Sequence, residues 1–331
     1  MRRGGSLSVG AYGVALASAV LVALPGVARA DGLPVLGVDV GNSGVATADG
    51  ARYVTMASGG STVVARVAQT GGRVLLWRAF PGTFTIPAVA YDGSAGGLSA
   101  DGKTVALIEP RQSFPRAQTR FLILGRGLTP RGLVNLKGDF SFDAISPNGH
   151  WLFLIHYTSP HDPTRYLVQA YDLRRWRLVA APIIDPTAPG EKMRGNPVTR
   201  TMSADGRWAY TLYDGGGAAP FVHALDTVAR SAHCIDLDSL SSSTDLSKLR
   251  LAVVGGGKQL EIRGGPDGTI NVDLRTFRIG TAGGGLLGAL EQMRFLLVAG
   301  SALLVGAILV MVERRRRRQT VHSVLEPLRE T

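Results

Sequence analysis

One pattern recurs along the chain about every fifty residues, and it constrains the fold more than any other feature. It reads Ala46-Thr47-Ala48-Asp49-Gly50-Ala51-Arg52 in its first copy and Leu98-Ser99-Ala100-Asp101-Gly102-Lys103-Thr104 in its second. The third and fourth copies are Ile145-Ser146-Pro147-Asn148-Gly149-His150-Trp151 and Met202-Ser203-Ala204-Asp205-Gly206-Arg207-Trp208. Successive glycines lie 52, 47 and 57 residues apart, and a degenerate fifth copy at Gly255-Gly256-Gly257 keeps a step of 51. Asp-Gly and Asn-Gly supply the positive φ that a tight hairpin turn needs, so each copy joins two strands. Runs of strand character follow each turn. In the third unit they are Trp151–Tyr157, Tyr166–Leu173 and Leu178–Ile184, preceded by Phe140–Ser146. The fourth unit repeats the plan with Val198–Ser203, Trp208–Tyr213, Phe221–Thr227 and Ala232–Leu237. No amphipathic helix of ten residues is expected between Asp31 and Gly280.

Four strands per repeat predict an all-β, five-bladed β-propeller, with six blades as the alternative count. The [IL]-S-x-[DN]-G-[KRH] pattern resembles the propeller repeat of the TolB family, whose usual form is S-P-D-G-[KR]. The resemblance spans residues 43 to 276. Ala100 and Ala204 replace the usual proline, Asn148 replaces the aspartate, and the fifth unit loses the motif. It implies a fold and little about activity, because propellers host unrelated functions. The strand Val35–Val40 is expected beside the last blade, closing the ring.

Charge separates the ends from the middle. The formal net charge is +11, but residues 1–30 hold three Arg and no acid, and residues 295–331 hold six Arg against three Glu. The middle is only +5, with 27 basic and 22 acidic residues, so membranes explain the basic excess better than nucleic acid does. Residues 1–30 read as a signal peptide, with Ala28-Arg29-Ala30 before a cleavage point at Asp31. Residues 295–312 form an uncharged run of 18, flanked by Arg314 to Arg318. As a helix it is ~27 Å long, enough to cross a bilayer core of ~30 Å, and the arginines place its far side in the cytoplasm. The expected order is a signal peptide, an exported propeller over 31–280, a Gly-rich neck over 281–294, a transmembrane α-helix over 295–312 and a basic tail over 313–331.

Chemistry is sparse in this pattern. One cysteine, Cys234, makes no internal bridge and reads as a small buried side chain. His156, His161, His223 and His233 match no metal-ligand spacing and read as solvated strand or loop residues. There is no nucleophile elbow, P-loop or dinucleotide fingerprint, and no cofactor or metal is expected. A propeller glycosidase needs paired carboxylates on the innermost strands. Of those strands, only Phe140–Ser146 carries one, Asp143, while Asp49, Asp101 and Asp205 belong to turns. Asp143 and Arg200 are the candidate ligand-binding side chains at the propeller axis. Trp151 and Trp208 share one blade position and are expected to pack between blades; Trp77 and Trp176 are expected at the surface. The loops Thr158–Arg165 and Asp185–Asn196 are the longest insertions and the first candidates for a contact surface. The sequence thus predicts a non-catalytic module binding an envelope protein, a peptide or an extracellular ligand, with a glycan-cleaving enzyme as the rival.

Overall fold

The repeats fold into five antiparallel sheets that follow one another along the chain. The computed structural model describes residues 44–190, 193–240, 244–266 and 268–280. Blade 1 contains β1 (Val45–Ala46), β2 (Ala51–Ser58), β3 (Ser61–Ala68) and β4 (Val74–Pro81). Blade 2 contains β5 (Val105–Ile108), β6 (Gln118–Leu124) and β7 (Pro130–Lys137). Blade 3 is β8 (Phe140–Ile145), β9 (Trp151–Tyr157), β10 (Tyr166–Asp172) and β11 (Arg177–Ile183). Blade 4 is β12 (Pro197–Met202), β13 (Trp208–Tyr213), β14 (Phe221–Asp226) and β15 (Ser231–Asp236). Blade 5 is β16 (Arg250–Val254), β17 (Gln259–Gly265), β18 (Gly268–Asp273) and β19 (Arg278–Gly280). Each sheet is an up-and-down meander in chain order, and three-residue 3₁₀ turns are the helical elements among the described residues.

Apolar faces hold each blade to the next. Tyr53 and Val64 of blade 1 meet Val105, Leu107 and Leu122 of blade 2. Ile108 and Phe121 of blade 2 meet Phe142, Leu152 and Leu154 of blade 3. Ala144, Phe153 and Val168 of blade 3 meet Ala209, Leu225 and Ala232 of blade 4, and Leu212 and Val222 of blade 4 meet Leu251, Leu260 and Ile262 of blade 5. Central strands therefore bury both faces, which is why Trp151–Tyr157 is an almost unbroken apolar run. Consecutive four-stranded meanders stacked face to face are the architecture of a β-propeller.

The recurring motif is a turn device. In three copies the Ser hydroxyl donates to the Asx side-chain oxygen: Ser99 to Asp101 at 2.6 Å, Ser146 to Asn148 at 2.9 Å and Ser203 to Asp205 at 2.6 Å. The same oxygen accepts the backbone N–H two residues on, at Lys103, His150 and Arg207. The glycine after it has φ of +66°, +66° and +71°, a left-handed conformation glycine adopts without strain. Trp151 and Trp208 lie at blade contacts as expected. The Arg230 guanidinium of blade 4 sits 4.5 Å over the Trp151 ring, and Trp208 lies 5.3 Å from Phe277 of blade 5.

Blade 2 departs from the four-strand expectation. The innermost position of this blade, before the Asp101-Gly102 turn, is split into two pieces. Thr85 pairs with Ile108 at one end of β5, and Leu98 pairs with Val105 at the other. Gly97, at φ +101°, brings its backbone so close that a Cβ there would lie 2.4 Å from the Ala106 carbonyl oxygen. Between the pieces, a hairpin pinned by an Ala88–Ala95 bridge reaches from blade 2 to the inner edge of blade 4. There the Tyr91 and Asp92 N–H groups donate to the carbonyls of Pro197 and Val198, and Thr199 Oγ1 donates to Asp92 Oδ2 at 2.6 Å. This backbone crossing links the second blade to the fourth and bypasses the third. The expected signal peptide, strand Val35–Val40, neck, span and tail lie outside the described residues. No helix among the described residues is long and apolar enough to cross a membrane.

Candidate functional site

Asp143 and Arg200 are brought together, on the inner strands of blades 3 and 4. Arg200 Nη1 stands 3.0 Å from Asp143 Oδ1, with side chains 5% and 2% exposed. The same nitrogen donates to the Asp143 carbonyl. The two side chains are enclosed and face each other, with the Tyr91–Asp92 crossing bonded to the strand that carries Arg200. The pairing is incomplete, since Asp143 Oδ2 and Arg200 Nε and Nη2 are buried without a hydrogen-bond partner.

The pair opens a polar row running outward through the blade 3–blade 4 interface. Arg200 is the register partner of Thr211, Thr211 of His223, and His223 of Cys234. Direct partners on antiparallel strands project on one face. That face is the one turned to blade 3, because Ala209, Leu225 and Ala232, two residues from members of the row, pack on Phe153 and Val168. His223 is 2% exposed, and neither ring nitrogen has a hydrogen-bond partner; nor does Thr211 Oγ1. Burial pushes the His223 imidazole down to about 4, against an opposing pull from the Asp143 carboxylate, so it is neutral at pH 7. This corrects the expectation of a solvated strand histidine. Its signal lay in its place: the third strand of a middle blade is covered on both sides.

At its outer end the row meets a cavity of about 820 Å³. The two insertions singled out in the sequence form its rim, through Thr158, Asp162, Thr164 and Arg165 on one side and Ala188, Met193 and Arg194 on the other. They are joined by an Arg165–Arg194 backbone bridge. Tyr166, Val168, Ile183, His223 and Cys234 line the interior. Asp185 ties the second insertion to blade 4: its Oδ1 accepts from Thr187 N and Oγ1 at 2.7 and 2.6 Å, and its Oδ2 accepts from Cys234 N at 2.9 Å. Burial works to raise the Asp185 carboxyl, but these hydrogen bonds outweigh it and hold the group below its ordinary value. Next to the cavity, Tyr157, Tyr166, Tyr213 and Phe221 form an aromatic cluster against which Met193 and Cys234 pack.

The other candidates are structural in their geometry. A second cavity, of about 850 Å³, is lined by the repeated turns. Its acids are already engaged, Asp49 with Arg66 and Asp101 with Ser99 and the Lys103 N–H. His156 stacks on Phe140 at 4.1 Å and its Nδ1 lies 2.9 Å from Gln169 Oε1. Trp77 is 60% exposed, and Trp176 is 38% exposed with its ring against Gly132. A buried cluster that the sequence did not single out is Asp139, which accepts from Arg111 Nη2 at 2.6 Å and from the Arg116 N–H at 3.0 Å. Burial and the neighbouring Arg111 charge bring the Arg116 guanidinium down to about 10. Among the described residues no three His, Cys, Asp or Glu side chains converge as metal ligands.

No family model matches the chain, and no curated protein matches it. Solved propellers resemble it at low identity. The putative TolB from Agrobacterium tumefaciens is 14% identical, with a TM-score of 0.39, 71% of this chain and 78% of that one covered. TolB from Acinetobacter baumannii is 14% identical, with a TM-score of 0.34 over 69% of this chain and 55% of that one. The Cps50 (Swd1) β-propeller domain of Myceliophteria thermophila is 10% identical, with a TM-score of 0.41 over 73% and 69%.

Proposed function

We propose that the chain is a membrane-anchored binding module of the cell envelope, whose propeller recognises a protein or peptide partner outside the cytoplasm. The observation that carries this reading is the convergence of the two longest insertions on one cavity. Loops carried on rigid sheets present a contact surface without disturbing the core. Their rim carries both signs of charge, in Asp162, Arg165 and Arg194, which suits a polar partner surface with fixed register. Export and anchoring come from the apolar ends of the sequence, residues 1–30 and 295–312. A binding role is also favoured over glycan cleavage by the state of Asp143. Its carboxylate is held against Arg200 and is 2% exposed, which makes it a poor acid, base or nucleophile toward a polymer.

Site-specific photo-cross-linking in cells tests the reading. A photoreactive residue is placed at Ser159 or Ala188 on the rim, with Trp77 on blade 1 as the comparison site. A discrete cross-linked product from the rim positions, absent from position 77, is the expected outcome. Equal labelling from all three positions, or none from the rim, rejects the rim as the contact surface.

A further inference from the structure

The geometry points to a cuprous-ion site inside the rim cavity, with His223, Cys234 and Met193 as its three ligands. This goes beyond the contact-surface reading and shares with it the cavity and one rim residue, Met193, while the charged rim residues Asp162, Arg165 and Arg194 take no part in it.

His223 lines the cavity while 2% exposed, and both ring nitrogens lack a partner. A buried imidazole normally satisfies at least its N–H, so an orphaned ring facing a cavity marks a place where a ligand completes the structure. Cys234 stands directly across from it on β15. The Cys234 N–H is donated outward to Asp185 Oδ2, while Leu237 N–H bonds the Pro220 carbonyl three residues along, so His223 and Cys234 form the closely spaced, non-hydrogen-bonded kind of pair. Cβ atoms in such pairs are about 4.5–5.5 Å apart on one face, a span that one metal ion bridges through an imidazole nitrogen and a sulfur. Met193 lines the same cavity and packs on the same aromatic cluster as Cys234, which brings a thioether to the pair.

The donor set selects the ion. One imidazole, one thiolate and one thioether are soft ligands of the kind that favour Cu(I). Zinc wants four ligands in a closed structural site, and the nearby acid Asp185 is committed to Thr187 and the Cys234 N–H. Charge agrees with softness. Binding exchanges the thiol proton, released to solvent, for Cu(I), and the resulting cuprous thiolate is neutral. A divalent ion on the same thiolate would add a net positive charge to a largely enclosed site. No electron is transferred in this step.

Anaerobic competition for Cu(I) against a chromogenic bicinchoninate-type chelator tests the site on the full-length protein in detergent. One ion per chain is expected, with X-ray absorption showing nitrogen and sulfur neighbours. Cys234→Ser and His223→Asn are each expected to weaken binding at least 100-fold, and Met193→Leu about tenfold. Met193→Leu conserves volume and keeps the fold, so it remains informative if the other variants unfold. Unchanged copper retention in Met193→Leu or Cys234→Ser overturns the assignment, as does zinc binding equal to copper. Arg194→Ala on the rim should leave copper affinity unchanged. A rim variant that loses its cross-linked partner while keeping copper separates failure of one reading from failure of the other.

Discussion

A side chain's type was easier to read from this sequence than its surroundings. The Ser-x-Asx-Gly residues are local devices, and their hydrogen bonds close within five positions, so their role was legible from spacing alone. Asp143 and Arg200 are 57 positions apart, and their common place on inner strands was legible while their mutual ion pair was not. Their pairing carries a stability consequence. Arg200→Met leaves the Asp143 carboxylate buried and unpaired and should cost about 3–5 kcal/mol in denaturant unfolding, whereas adding Asp143→Leu should recover most of that loss. A double variant as unstable as the single would show that the carboxylate has another essential partner. His223 carries a pH consequence. Its imidazole ionises near 4 in the folded chain and near the ordinary 6.5 when unfolded. The unfolded chain binds the extra proton between those values, so stability falls as pH drops from about 6.5 toward 4 and is independent of this group above 6.5. The contribution is about 3 kcal/mol over that window. With a chelator present, His223→Asn should remove that part of the acid slope, and an unchanged slope would mean that the ring is protonated or solvated in the fold.

Strands were legible wherever a unit repeated its neighbours. Each expected strand of units three and four overlaps an observed one, β8 to β15, because alternation and turn chemistry are local signals. Blade 2 was harder, since its inner position is filled by two short pieces with a hairpin between them. Nothing periodic marks a strand of one or two residues; the cue was the glycine pair Gly96-Gly97, where Gly97 approaches the β5 backbone and Gly96 the Phe142 ring too closely for a side chain. The hairpin depends on Asp92, which accepts from Ser94 N and Oγ through Oδ1 and from Thr199 Oγ1 through Oδ2. Asp92→Ala leaves Thr199, 1% exposed, without its acceptor and frees the turn. It should cost about 1–3 kcal/mol and raise amide exchange at Tyr91 and Asp92 ahead of the blade cores. Exchange that rises uniformly across all blades would place Asp92 in the global unfolding unit instead of at a local tie.

At the scale of the whole molecule, the five sheets run from Val45 to Gly280. Exposing the 18-residue apolar run at 295–312 to water would be costly, and its length fits a bilayer. The cavity loops did not reveal their convergence in the sequence, because Thr158–Arg165 and Asp185–Asn196 meet through a propeller geometry that brings the ends of neighbouring blades together. The ends of the chain, by contrast, were read from hydropathy and charge alone, and they yield a direct expectation. Full-length protein should sediment with membranes and resist alkaline carbonate, while a chain ending at Gly280 should be released and keep a β-rich circular-dichroism spectrum. Protease added outside intact cells or spheroplasts should degrade the propeller loops and spare an epitope placed after Thr331, because basic residues flanking a span favour the cytoplasmic side and Arg314 to Arg318 follow the apolar run. Release of the full-length chain by carbonate would remove the anchor, and cleavage of the terminal epitope from outside would reverse the orientation. Either result would move the rim loops to a different compartment and change which partners can reach them.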